Sequence, residues 1–194
     1  MSLDRYAAGA RRYLARLQDV LANVDVEEIA AIAEVLRTAY EEQRTIFTMG
    51  NGGSGSTASH MVCDMNKGTC FNAEKKFRFI SLTDCTPMVL ALANDVGFDS
   101  IFVEQLKAYA QPGDVVFAIS ASGDSPNVLR AVEYAKGAGC VTVGACGFDG
   151  GRLKAMVDHC FHVRAADMQI VEDVHMVLAH ILMRILDVGG QDSS

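Results

Sequence analysis

The spacing of apolar residues predicts two amphipathic helices followed by five buried strands. Residues 4–22 and 26–43 carry apolar side chains at helical intervals of three and four. Short apolar runs then follow at 45–49, 77–81, 115–120, 140–144 and 160–163. Because these runs are apolar throughout instead of alternating, they predict a parallel sheet that is covered on both faces.

Helical segments separate these strands. They are predicted from Ser54 onward, at 86–110 with a break near Gly97, at 126–136 and at 168–187. This alternation is typical of the α/β class. It predicts a three-layer αβα sandwich with an open, mostly parallel five-stranded sheet. The two leading helices, within residues 1–43, offer further surface for oligomerisation.

The last predicted helix is apolar on two faces. The stripe expected to face the sheet consists of Val174, Val177, Leu178, Ile181, Leu182 and Ile185. The opposite side carries Met176, Ala179 and Met183. A terminal helix that is apolar nearly all round is explained most simply by a contact between subunits, so we expect a homo-oligomer.

Composition limits the class of protein. Half of the 194 residues are hydrophobic, which suits one domain over residues 1–190, with a loose tail at 191–194. The net charge of -7 argues against a nucleic-acid partner, since such proteins normally carry a basic stripe. No apolar run reaches the roughly 20 residues of a membrane helix. Six cysteines without a CxxC pair, and no signal-like start, predict reduced thiols and a cytoplasmic location.

A glycine-rich turn, Gly50-Asn51-Gly52-Gly53, follows the first predicted strand, and Ser54 opens the next helix. Its glycines can adopt positive φ angles. The N-terminus of a helix concentrates unpaired N–H groups and positive dipole, so it can bind an anion without Lys or Arg. A tight connection without any ligand is the alternative interpretation.

A second polar turn follows the strand that ends at Ser120. It reads Ser120-Ala121-Ser122-Gly123-Asp124-Ser125-Pro126-Asn127. Ligands of open α/β sheets bind beyond the carboxyl ends of the strands, so the two turns could hold one anion jointly. Neither turn has a dinucleotide or nucleoside-triphosphate motif, which favours a phosphorylated small molecule.

Two pairs of imidazoles and carboxylates are candidates for chemistry. His60 and Asp64 are four residues apart, on one helical face, as a metal pair or an acid/base pair needs. Glu172 and His180 lie eight residues apart, roughly 80° around the last helix, so both can point into one cleft. Zinc or a similar divalent ion suits this set of ligands. Solvated or locally satisfied side chains are the alternative.

These motifs resemble the sugar isomerase (SIS) domain family and, within it, the phosphoheptose isomerases, which interconvert sedoheptulose 7-phosphate and D-glycero-D-manno-heptose 7-phosphate. The likeness covers nearly the whole chain. It rests on GNGGS at 50–54 with Ala58-Ser59-His60, the Asn94-Asp95-Gly97-Phe98 segment, ISASGDSPNV at 119–128 and EDVHxxxxH at 172–180. It implies a flavodoxin-like fold, a phosphorylated sugar as substrate, zinc, and a tetramer with sites between subunits.

The resemblance also implies roles for individual residues. The sugar phosphate would be bound by Ser54, Ser120, Ser122 and Ser125. Asn51 and Asp95 would lie near the sugar hydroxyls. The other residues implied in substrate binding are Gly52, Gly53, Asn94, Ala121 and Glu172. The zinc ligands would be His60, Asp64, Glu172 and His180.

Two of these positions differ from the family pattern. Asp64 stands where the family has its catalytic Glu, and Glu172 stands where it has Gln. The carboxylate at 64 is shorter by one methylene, which changes its reach to a substrate carbon. A second negative charge among the ligands would weaken the Lewis acidity of zinc.

The leading hypothesis is an aldose–ketose isomerase that acts on a seven-carbon sugar phosphate, or a closely related one, through an enediol. Asp64 would move the proton between carbons 1 and 2, and His180 would serve as acid and base toward the oxygens. The alternative is a non-catalytic phosphosugar-binding scaffold or regulator, resembling the tetrameric family member that binds the bacterial replication initiator.

Overall fold

The computed structural model describes residues 3–189. Its α-helices and β-strands follow in the order α1 (Leu3–Ala22), α2 (Val26–Glu41), β1 (Ile46–Gly50), α3 (Gly52–Cys63), β2 (Phe79–Ser81), α4 (Thr86–Asp95), α5 (Val103–Tyr109), β3 (Val115–Ser120), α6 (Pro126–Gly137), β4 (Val141–Cys146), α7 (Gly151–Met156), β5 (His159–His162) and α8 (Met168–Ile185). A π-helix covers Asp64–Thr69, and a 3₁₀ helix covers Phe98–Ser100. The predicted loose tail at 191–194 lies outside the described residues.

All five strands form one parallel sheet in the order β2-β1-β3-β4-β5. The predicted α/β class and the five-stranded sheet are therefore confirmed. Gly50 at the end of β1 is in register with Ile119 of β3. The turns that follow these two strands consequently meet at the carboxyl edge of the sheet, as the sequence predicts.

The sheet separates two apolar layers, because adjacent strand residues point to opposite faces. Ile46 and Phe117 pack on one face, with buried residues of α2, α3 and α8. Phe47 and Val116 pack on the other face, with buried residues of α5 and α6. The predicted three-layer αβα sandwich follows from this division.

Helices α3 and α8 lie side by side in the same direction. A Cβ atom on Gly53 would overlap the Glu172 carboxylate, and one on Gly68, in the π-helix, would overlap the Met183 side chain. The two glycines allow this close approach because they have no side chain. Because the two helices run in the same direction, the first residues of α3 lie beside the first residues of α8. His60 consequently lies beside His180.

Two local features were not predicted from the sequence, whereas the predicted break near Gly97 is confirmed. The segment 86–110 forms α4, a 3₁₀ turn and α5, and φ at Gly97 is 121°. The π-helix was not predicted, because its sequence continues the pattern of α3. α7 was not predicted either, since it has only six residues and begins at Gly151, within the glycine turn.

The two-faced character of α8 is partly visible in the described chain. Val174, Leu178 and Leu182 are buried on one side, and Ala179 is buried on the other. Ile185 keeps 56% of its surface exposed. Among residues 3–189, none of the helices is both long and apolar enough to span a bilayer.

Candidate active site

The two polar turns form a single cavity of about 290 Å³ at the carboxyl edge of the sheet. It is lined by Asn51, Gly52, Gly53, Ser54, Ile119, Ser120, Ala121, Ser122, Ser125, Met168 and Glu172. The structure thus brings together nine of the residues predicted to bind substrate, from the ends of β1 and β3, the turns that follow them, α3 and α8. Of these lining residues, none is Lys or Arg, and Glu172 is the charged one.

The start of α3 supplies hydrogen-bond donors to this cavity. Gly52 adopts a φ of 52°, and Asn51, the residue that precedes the helix, makes no capping bond through its side chain. The first backbone N–H groups of a helix have no acceptor within it. The N–H groups at 52–54 are therefore available to an anion, and the helix dipole favours negative charge there.

The Asn51 side chain is instead paired with Asn127 at the start of α6. Asn51 Nδ2 donates to Asn127 Oδ1 at 2.9 Å, and Asn127 Nδ2 donates to Asn51 Oδ1 at 2.8 Å. Asn127 is 1% exposed, and its Oδ1 also accepts from Val128 N at 3.0 Å. This closed amide pair holds the two turns together, and it occupies the side chain that was predicted to contact sugar hydroxyls.

The second turn is folded tightly around its serines. Ser120 Oγ donates to Ser125 Oγ at 3.2 Å, and Asp124 N donates to Ser122 Oγ at 3.2 Å. Gly123 has a φ of 71°, and a Cβ atom there would overlap the Gly150 carbonyl. Glycine is required at this position because both the backbone angle and the space exclude a side chain.

A second cluster consists of His60, Asp64 and His180, about two helical turns from the cavity along α3 and α8, with Asp64 at the first position of the π-helix. His60 Nε2 lies 3.0 Å from His180 Nε2 and 3.1 Å from Asp64 Oδ2, and His180 Nε2 lies 3.8 Å from that same oxygen. Both imidazole side chains are about half exposed, at 42% and 52%, whereas Asp64 is 15% exposed. Two ring nitrogens and a carboxylate oxygen therefore converge on one point that solvent can reach.

The cluster fits a divalent cation. Asp64 Oδ2 is buried, and within residues 3–189 it makes no hydrogen bond of acceptable geometry despite its short distance to His60 Nε2. One candidate ligand atom of each residue lies within 4.8 Å of the others. A buried carboxylate oxygen without a donor is costly, and a cation would satisfy it. Two imidazoles with one carboxylate are typical ligands of catalytic zinc.

Three predicted site residues lie outside the His60–Asp64–His180 cluster. The Glu172 carboxylate lies against Gly53 in the cavity between the two turns, which is called the anion cavity below. Asn94 and Asp95 are exposed at the end of α4, where Asn94 Nδ2 donates to Asp95 Oδ1 at 2.7 Å. Neither of these two residues lines the anion cavity.

Two buried polar residues near the site were not assigned from the sequence. Asn127 holds the two turns, and its position just after Ser125-Pro126 at a helix start is the signal that could have identified it. His175 is 2% exposed, and its Nε2 donates to the Cys146 carbonyl at 3.2 Å. Burial lowers the pKa of His175 from 6.5 to about 4, so this imidazole is neutral and structural.

A larger cavity of about 540 Å³ lies at the opposite edge of the sheet. α2 and the first residues of β3, β4 and β5 line it, with both apolar and polar side chains. It lies at the amino ends of these strands, whereas ligands of such folds bind beyond the carboxyl ends. The smaller polar cavity is therefore the candidate active site.

The fold and this site together define an α/β domain that is built to hold a phosphorylated small molecule beside an imidazole–carboxylate cluster. The family model described as "SIS domain" matches residues 6–147. A probable phosphoheptose isomerase from Thermoplasma acidophilum is 34% identical over 178 residues, which are 92% of this chain and 97% of the relative. The phosphoheptose isomerase from Geotalea daltonii is 39% identical over 160 residues, or 82% and 83% of the two chains. The chain belongs to the SIS-domain family and, within it, to the phosphoheptose isomerases.

Solved structures agree with this assignment. The phosphoheptose isomerase from Neisseria gonorrhoeae superposes with a TM-score of 0.87 at 28% identity, covering 96% of this chain and 99% of that one. The enzyme from Francisella tularensis gives the same TM-score and coverage at 26% identity. The implied flavodoxin-like SIS fold is thereby confirmed.

Proposed function

We propose that this protein isomerises sedoheptulose 7-phosphate to D-glycero-D-manno-heptose 7-phosphate, or interconverts a closely related aldose and ketose phosphate. The relatives that match most of the chain are named for this activity. They favour a catalytic protein over a phosphosugar-binding scaffold or regulator. The reaction requires a proton to move between two adjacent carbons and another to move between their oxygens.

One observation carries the proposal: the anion cavity and the imidazole–carboxylate cluster lie along the same pair of parallel helices. Gly53 and His60 are seven residues apart on α3, and Glu172 and His180 are eight apart on α8. At 1.5 Å per residue, this is about 11 Å of axial rise. An extended sugar phosphate has a comparable length, so its phosphate can lie at the helix start while carbons 1 and 2 reach the cluster.

The phosphate is held by neutral donors. The backbone N–H groups at 52–54 and the hydroxyls of Ser54, Ser120, Ser122 and Ser125 surround it, as the family resemblance implies. Binding of this remote end positions the reactive carbons beside Asp64. Such positioning makes proton abstraction effectively intramolecular, which can lower a barrier by several kcal/mol.

Asp64 is the base in this mechanism. Its carboxylate takes the proton from one carbon and returns it to the neighbouring carbon of the enediol. His180 exchanges protons with the two oxygens, since a neutral imidazole can serve as both acceptor and donor. The burial of Asp64 Oδ2 without a hydrogen bond supports this role, because no protein donor occupies the oxygen that would accept the proton.

His60, Asp64 and His180 are the residues that would hold zinc or another divalent ion. When bound, such an ion would polarise the substrate carbonyl. Glu172 is proposed as a fourth ligand from the family pattern, although its carboxylate lies in the anion cavity. A rotation of its side chain away from Gly53 would be needed for this role.

The proposal includes a homotetramer with sites between subunits. α4 has no buried residue in the isolated chain, and Leu90, Val96 and Phe98 keep more than half of their surface exposed. An apolar surface of this kind is typical of subunit contacts. A contact through α4 would carry Asn94 and Asp95 toward the cavity of a neighbouring subunit. α1 has no buried residue either. Together with α2 it would extend this contact, so that residues 1–43 take part in oligomerisation.

A cytoplasmic location is part of the same proposal. All six cysteines lie in the described range, and all are free thiols. Free thiols are typical of reducing compartments.

The test is to incubate the purified protein with sedoheptulose 7-phosphate, with and without zinc, and to identify the product by NMR. We expect an aldoheptose phosphate, and light scattering should give the mass of four chains. Failure to form any aldoheptose, with zinc bound and the fold intact, would refute the isomerase. A zinc-free protein that binds the phosphosugar without turnover would favour the scaffold instead, a role motivated by Asp64 and Glu172.

A further inference from the structure

Two cysteines on adjacent strands have their sulfur atoms in contact. Cys146 Sγ of β4 lies 3.4 Å from Cys160 Sγ of β5. In the sheet register, Cys160 is paired with Gly144, and Cys146 is paired with His162. Because Gly144 has no side chain beside Cys160, the two sulfurs meet diagonally across the strands.

The two thiols differ in their access to solvent. Cys146 is fully buried, whereas Cys160 is partly exposed and lines a polar cavity of about 300 Å³. Lys154 and His162 line the same cavity, and Lys154 Nζ lies 3.2 Å from His162 Nδ1. A small polar molecule can therefore reach Cys160, whereas Cys146 is closed to solvent.

The environment favours a thiolate at the accessible position. The hydrogen bond from the Cys146 thiol lowers the pKa of Cys160, and the positive charge of Lys154 acts in the same direction, whereas burial and the negative charge of Glu28 oppose them. The same hydrogen bond and its burial raise the pKa of Cys146, which therefore keeps its proton. A thiolate is the form of cysteine that attacks peroxides.

We propose that Cys146 and Cys160 form a reversible redox couple that reacts with hydrogen peroxide. The Cys160 thiolate attacks a peroxide oxygen, so an S–O bond forms, the O–O bond breaks and hydroxide leaves. The Cys146 sulfur then displaces the hydroxyl group of this sulfenic acid, and a disulfide and water are the products. The two thiols lose two electrons, which reduce one peroxide to two molecules of water. A dithiol reductant reverses the reaction.

The test uses the intact protein and hydrogen peroxide in small molar excess. Free thiols are then blocked with N-ethylmaleimide in denaturant, and the tryptic peptides are mapped without reduction. We expect one linked pair that contains Cys146 and Cys160 and disappears with dithiothreitol. The Cys146→Ser variant should instead accumulate sulfenic acid at Cys160, which dimedone traps. Since Cys146→Ser alters a buried position, its fold is checked by circular dichroism, and the wild-type map alone already decides whether the disulfide forms.

Cys85→Ser is the matched control, because Cys85 is an exposed thiol far along the chain from this pair. It should leave the linked peptide unchanged, whereas Cys160→Ser should abolish it. Oxidation confined to the exposed Cys63 and Cys85, with Cys146 and Cys160 still reduced, would overturn the proposal. Over-oxidation of Cys160 in the wild-type protein without a disulfide would also overturn it.

Discussion

Asn51 and Asn127 form a closed pair of amide hydrogen bonds, at 2.8 and 2.9 Å, between the two turns of the anion cavity. These residues lie 76 positions apart in the chain. The pair spans the ends of β1 and β3, which are neighbours in the sheet. It therefore sets the distance between the two groups of donors that would surround a phosphate.

We expect Asn127→Ala to weaken substrate binding more than it slows turnover. The change leaves the Asn51 amide without its partner, at a cost of about 1–3 kcal/mol for an unsatisfied buried polar group. KM for the sugar phosphate should rise about 10-fold, as 1.4 kcal/mol of lost binding implies, while kcat changes less. Steady-state kinetics with the exposed Asn72→Ala as control would measure this. Unchanged KM in Asn127→Ala would show that the pair does not shape the cavity.

Asp64→Asn should abolish isomerisation while the fold persists. An amide cannot accept the carbon-bound proton, and loss of a general base typically costs about 10²–10⁴-fold in rate. Asp64→Glu, which restores the family's side chain, should keep measurable activity. Exchange of the substrate proton with deuterated solvent gives a direct readout of this step. Full activity of Asp64→Asn would remove Asp64 from the mechanism.

Glu172→Gln should strengthen phosphosugar binding. The Glu172 carboxylate lies against Gly53 at the start of α3, where it repels an incoming phosphate. Isothermal titration with the metal-free protein should give a Kd lower by about 5-fold, the equivalent of about 1 kcal/mol. Asp173→Asn is the matched control, because it removes the same charge from the same helix. The Asp173 carboxylate accepts a hydrogen bond from Tyr13 and does not line the anion cavity. Equal effects of the two variants would indicate only a general effect of charge.

His175 should make the protein sensitive to mild acid. Its folded pKa of about 4 lies below the ordinary 6.5, so between these values the unfolded chain binds a proton that the folded chain does not. The free energy of unfolding should therefore be highest above pH 6.5 and fall as the pH drops toward 4, by about 3 kcal/mol for this group.

Denaturant titrations from pH 7 to pH 4 would measure that loss. The His175→Asn variant keeps a side-chain N–H for the Cys146 carbonyl but cannot titrate, so its pH dependence should be shallower. His159→Asn, at the partly exposed start of β5, is the control for loss of an imidazole elsewhere in the chain. A His175→Asn slope equal to that of the wild type would assign the acid sensitivity to other groups.

The predictable features of this chain are those set by neighbouring residues. The apolar runs identified all five strands within two residues at each end, and the glycine and serine turns identified most of the cavity. The Asp25 side chain caps α2, accepting from Glu27 N and Glu28 N, which are local contacts of the same kind. These outcomes depend on backbone preferences and on local hydrogen bonds.

The missed features depend on contacts between distant segments. The Asn51–Asn127 pair exists because β1 and β3 are adjacent, and a sequence does not state which strands are neighbours. The position of Glu172 depends on the close approach of α8 to Gly53. From helical spacing, Glu172 was predicted to join His60, Asp64 and His180. In the described chain its carboxylate instead lies against Gly53, outside that cluster.

The hydrogen-bond donors of the anion cavity are neutral, which affects how a substrate arrives. Backbone N–H groups and serine hydroxyls act at contact, and their attraction falls off steeply with distance. The chain as a whole carries a net charge of -7, so its long-range field repels a phosphorylated sugar. Capture is therefore not steered by electrostatics, and the association rate should rise with ionic strength as that repulsion is screened.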